Sequence, residues 1–117
     1  MKAADNGHGV LIPYSTEIIK LPSRNIYATV MVADASDGFH ESWEVFLPQR
    51  GIGRAPWTKT EPRRTSDEAR KIALIEIQNH LTGVISFDTD SVNVNAAKSL
   101  MALISVMMPT TIQLQLF

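Results

Sequence analysis

The apolar residues of this chain follow two different spacings, and these set the fold class. Over 26–32 and 43–47 they alternate with other residues, as in strands that bury one face. Over 65–82 and 91–108 they recur at the three- and four-residue spacing of amphipathic helices. We therefore predict a two-layer α+β sandwich, with a largely antiparallel sheet of about four to six short strands and two helices at about 65–82 and 91–108.

The clearest strand signals lie at 26–32 and 43–47, where apolar side chains would share one face of each strand. The stretch 34–38 between them favours a turn, because aspartate accepts local backbone hydrogen bonds and Gly38 can adopt a positive φ. An antiparallel hairpin is the simplest interpretation. Further candidates for short strands or extended segments are 10–12, 18–21, 84–87 and 111–116.

The first predicted helix begins at the capping box 65–68, and Gly83 stands where a helix often ends in a left-handed residue. The second follows Asp88, Asp90 or Ser91, any of which can cap it. Its apolar arc is so wide that it needs deep burial or a partner.

A length of 117 residues fits one domain, which we place at 10–117 after a flexible tail at 1–9. The lack of cysteine excludes a thiol nucleophile or a disulfide framework. No signal-peptide pattern follows Lys2, and the longest apolar run, 100–108, is about half of a membrane span. We expect a cytoplasmic protein without membrane contact, cofactor or metal, and its small size suggests a bacterial or phage source.

The basic residues are concentrated in one part of the chain. The net charge is −1, yet segment 50–71 holds seven basic and three acidic residues, a net +4 that leaves −5 elsewhere. The overlapping stretch 48–64 contains two glycines and three prolines and is predicted as a long loop or irregular hairpin. Arginine binds phosphate or carboxylate through two hydrogen bonds, and an indole can stack on a base.

We therefore predict a non-catalytic accessory domain that contacts a macromolecule, either nucleic acid or an acidic protein, through the loop 49–64. The predicted contact residues are Arg50, Arg54, Trp57, Lys59, Arg63 and Arg64.

Other interpretations stay open. These charges could be merely solvated, with Trp57 packed onto the core. The Met-rich second helix or a sheet edge could bind a protein or form a homodimer. His40 with Asp37 or Glu41 could serve a small ligand-binding or hydrolase-type domain, although no two histidines have metal-ligand spacing and no nucleophile elbow or phosphate loop occurs.

Overall fold

A computed structural model describes residues 15–21, 26–49, 51–55 and 61–107, the strand 51–55 by its backbone alone. The elements in chain order are β1 (Ser15–Lys20), β2 (Tyr27–Ala35), β3 (Gly38–Leu47), β4 (Gly51–Ala55), α1 (Ser66–Phe87) and α2 (Ser91–Met107). The strands pair antiparallel in the order β1-β2-β3-β4. The predicted α+β class, antiparallel sheet and two helices are confirmed.

The sheet buries one face against α1, which contacts β2 and β3. The prediction that 26–32 and 43–47 each bury alternate residues is confirmed, because those alternate residues are buried on the sheet side of the core. The segment 18–21 falls largely in β1, an outer strand of the described sheet. Cross-strand neighbours on the helix-facing side are Ala28 and Val45, Val30 and Trp43, and Val32 and Glu41.

A two-residue turn joins β2 to β3, shorter than the predicted 34–38 because β2 extends to Ala35. Gly38 follows the turn with φ of 138°. A Cβ at this position would lie 2.8 Å from Cβ of Pro62 and 2.9 Å from the carbonyl oxygen of Arg63. Glycine is thus required both by the backbone angle and by the segment that packs against the hairpin tip.

The start of α1 is as predicted, and its end is not. Thr65 caps the helix by accepting a 3.1 Å hydrogen bond from the amide of Glu68. The helix then runs through Gly83 to Phe87, so the prediction of a strand at 84–87 is wrong. Burial of Val84 in the core, on the face that continues from Leu81, outweighs the roughly 1 kcal/mol that a glycine costs inside a helix.

The second helix has nearly the predicted bounds, and Asp90 caps it by accepting hydrogen bonds from the amides of Val92 and Asn93. The wide apolar arc of α2 is directed into the chain. Ala96, Ala97, Leu100 and Ile104 are buried, while Met101, Leu103 and Met107 are half-buried against the same core.

Three predictions fall outside the described residues: the tail at 1–9 and the strands at 10–12 and 111–116. Within the described ranges, neither α1 nor α2 combines the length and the hydrophobicity that crossing a bilayer requires.

The two glycines with known surroundings should respond oppositely to alanine. We expect Gly38→Ala to lower the free energy of unfolding by more than about 1 kcal/mol, because the methyl group meets Pro62 and the backbone angle is unfavourable. Gly83→Ala should raise it by about 0.5–1 kcal/mol, since nothing lies within 4 Å of the added Cβ. Urea denaturation of both variants measures this, and equal destabilisation would contradict it.

Candidate functional site

The predicted loop 48–64 contains β4, so the hairpin form of that prediction is correct for residues 51–55. After a turn at 48–49, β4 pairs with β3 and forms the margin of the described sheet opposite β1. The register sets Gly51 and Gly53 beside Leu47 and Val45, on the helix-facing side. Arg54 occupies a position on the other side, opposite Glu44.

Two of the six predicted contact residues have described side chains, namely Arg63 and Arg64. The side chains of Arg50, Arg54, Trp57 and Lys59 lie outside the described part of the chain.

Arg63 fastens the segment before α1 to β3. Its backbone exchanges two hydrogen bonds with Phe39, of 2.7 and 3.0 Å. Its guanidinium donates two 3.0 Å bonds to the carboxylate of Glu41, from Nε to Oε1 and from Nη2 to Oε2. The Glu41 side chain is only 3% exposed, and its hydrogen bonds raise the pKa of Arg63 above the ordinary value. This arginine therefore has a structural role that the sequence prediction did not assign to it.

Arg64, the next residue, is exposed and makes no ion pair with another described residue. Its neighbours along α1 differ. Arg70 donates bonds of 2.6 and 3.1 Å to Glu17 of β1, and Lys71 lies 3.0 Å from Asp67. Within the described part of segment 50–71, Arg64 is thus the cation that stays available to a partner.

Two glutamates near the arginine pairs have pKa values shifted in opposite directions. Hydrogen bonding to Arg70 lowers the pKa of Glu17, against a smaller opposing effect of burial. Burial raises the pKa of Glu76 on α1, and the nearby carboxylate of Glu41 raises it further, while Arg63 partly offsets both. Glu76 is therefore a group whose charge the fold tolerates poorly.

The proposed histidine site is only partly assembled. Nε2 of His40 lies 2.8 Å from Oδ1 of Asp37, and the histidine is buried. Glu41 follows His40 directly in β3, so it projects to the opposite face, where it binds Arg63. Glu41 therefore cannot act with His40 on one substrate atom.

Among the described residues, two clefts border α1. The first, of about 290 Å³, lies between β1 and the start of the helix and contains the Glu17–Arg70 pair. The second, of about 360 Å³, follows the C-terminal half of the helix and is called here the Gly83 cleft. Its lining residues are Asn79, His80, Gly83, Val84, Phe87 and Asp88.

Sequence reasoning missed the Gly83 cleft because it ended the first helix at residue 82. Helical spacing carries the missing signal: residues 79, 80, 83 and 87 share one side of a helix that continues past Gly83. No group of three or more metal-ligating side chains occurs within the described ranges.

Compared with known proteins, the chain matches no family model, no curated protein and no solved structure. Its function therefore has to be inferred from these residues.

Adjacent arginines provide a direct comparison of the two roles. We expect Arg63→Ala to lower the free energy of unfolding by about 2–3 kcal/mol, because Glu41 would remain buried without its cation. Arg64→Ala removes the same charge from an exposed position and should change stability by less than about 0.5 kcal/mol. Chemical denaturation distinguishes them, and similar values for both variants would show that the Glu41 pair contributes little.

The two shifted carboxyl groups predict opposite pH dependences. Glu17, with its lowered pKa, stabilises the fold above the ordinary value of 4.5, and this contribution is lost as pH falls through the folded pKa. Glu76, with its raised pKa, destabilises the fold at neutral pH, and protonation removes that cost as pH falls through its raised pKa toward 4.5.

Glu17→Gln should accordingly lower the melting temperature at pH 7, and Glu76→Gln should raise it. Both differences should shrink on acidification. Thermal unfolding from pH 7 to well below the ordinary carboxyl pKa of 4.5 measures them, and a Glu76→Gln variant less stable than the parent at pH 7 would contradict the assignment.

Proposed function

We propose that this chain is a non-catalytic nucleic-acid-binding domain that contacts phosphates through its basic segment 49–64. The pairing of charges supports this proposal. The described cations of α1 are bonded to carboxylates, and Arg63 is bonded to Glu41, whereas Arg64 stays exposed and has no ion pair with another described residue. A local positive charge that is not neutralised within the fold attracts a polyanion.

The geometry narrows the proposed contact set. Arg63 is withdrawn from it, because releasing its guanidinium would leave the Glu41 carboxylate buried and unpaired. Four cations are retained together with Trp57, whose indole would stack on a base. The retained cations are Arg50, Arg54, Lys59 and Arg64.

The proposed two-layer arrangement gives this segment a suitable support. With both helices on one side of the sheet, β4 at the margin and the chain that follows it would reach a long ligand without displacing the core. The expected cytoplasmic location also agrees with a nucleic-acid partner. An acidic protein is the competing partner, and it is one outcome of the experiment below.

Salt dependence measures how many phosphates are contacted. Four contacts to a single strand give a slope of about −3 in log affinity against log salt, with dissociation constants of about 10⁻⁴ to 10⁻⁶ M. We expect Arg64→Ala to reduce the magnitude of that slope by roughly 0.7, as one contact is lost. Fluorescence anisotropy with labelled oligonucleotides between about 50 and 200 mM salt measures both quantities.

The matched control is Lys98→Ala, which removes the same charge from an exposed position on α2. It should leave affinity and slope unchanged. Equal losses in both variants would mean that only total charge matters, and no oligonucleotide binding at low salt would reject the proposal. Binding to polyglutamate that exceeds binding to oligonucleotides would assign the segment to an acidic protein instead.

A further inference from the structure

The Gly83 cleft is lined by a glycine inside a helix, and the helix backbone does not require a glycine there. Gly83 lacks a positive φ, and a Cβ built on it meets no atom within 4 Å. Alanine would therefore fit there and would favour the helix. The open volume along this part of α1 is about 360 Å³, equal to that of roughly twelve water molecules in the liquid.

One side of this cleft is formed by the solvent-exposed aromatic ring of Phe87. Phe87 is the last residue of α1, and it is 86% exposed, whereas the other large apolar side chains of the helix are buried or half-buried. An exposed aromatic ring beside an open cleft offers a stacking surface for a flat ligand.

The polar groups of the cleft suit the edge of a heterocycle. Asn79 supplies an amide that can both donate and accept. The imidazole of His80 is held against the indole of Trp43, with ring centroids 5.2 Å apart. The Asp88 carboxylate is fixed by bonds of 2.8 Å from the Asp90 amide and 3.1 Å from Nδ2 of Asn93.

These lining groups disfavour a phosphate and favour a base. The described lining residues include no lysine or arginine, and the Asp88 carboxylate would repel an anion. Aromatic stacking combined with amide and imidazole contacts to a base edge is how proteins recognise unpaired nucleotides.

The cleft is connected through His80 to β3, beside the backbone of β4. His80 packs on Trp43, and Trp43 is the direct neighbour of Ala55 in β4. Glu76 lies one helical turn before His80, and the charges of Arg63 and Glu41 contribute to its pKa. A strand that follows the basic segment would thus pass the cleft.

We propose that the Gly83 cleft receives one unpaired base of the bound nucleic acid, so that the domain prefers single strands. This inference rests on the proposed function. The basic segment would contact the phosphates, and the cleft would bind a base. A base inside a duplex is stacked and paired, and it could enter only after being extruded.

The experiment compares three oligonucleotides of equal length: a single strand, the corresponding duplex, and a strand whose sites are all abasic. The abasic strand keeps the phosphates and removes the bases. We expect the parent protein to bind the single strand about tenfold more tightly than the abasic strand. Phe87→Ala should remove that preference and leave affinity for the abasic strand unchanged.

Val106→Ala is the matched control, because Val106 is an apolar helical residue of similar exposure, 84%, outside the cleft. It should keep the preference. Gly83→Leu, which fills the cleft, should act like Phe87→Ala. Thermal unfolding of each variant establishes that the fold is retained.

The two proposals fail in different ways. Equal affinity for the single and abasic strands, with no effect of Phe87→Ala, would overturn the base site and leave the phosphate contacts intact. If no oligonucleotide binds, the proposed function is rejected, and titration with uncharged nucleosides then decides the cleft alone. In NMR spectra, amide chemical-shift changes confined to Asn79, His80 and Phe87 would support base binding in the cleft, and unchanged spectra would overturn it.

Discussion

The connection between the sheet and the first helix depends on one arginine. Arg63 bonds to Phe39 through its backbone and to Glu41 through its guanidinium. A single residue thus joins the segment before α1 to the hairpin by both backbone and side-chain hydrogen bonds. The close approach of Pro62 and Arg63 in turn requires Gly38 at the hairpin tip. Thr65, two residues after Arg63, then caps the helix, which begins at Ser66.

The strands were predictable because side chains alternate between the two faces of a strand and one face of this sheet is buried. Alternation at 26–32 and 43–47 identified the buried face, and the capping box identified the start of α1. The end of α1 was misjudged for a physical reason. Glycine favours helix ends, yet at Gly83 the burial of Val84 beyond it decided the outcome.

The candidate site was less accessible from sequence than the fold. A count of charges could not separate Arg63 from Arg64, because the difference lies in a carboxylate more than twenty residues away. Alternation did contain a hint, since Glu41 shares the inward face of Trp43 and a buried carboxylate needs a cation. The Gly83 cleft could not be foreseen once the helix was ended too early.

The register of β4 has a consequence for motion. Its helix-facing positions are Gly51, Gly53 and Ala55, residue types with little or no side chain to bury. We therefore expect local opening of β4 to cost less free energy than separation of β2 from β3. A margin that can loosen while the hairpin stays closed would let this edge adapt to ligands of different shape.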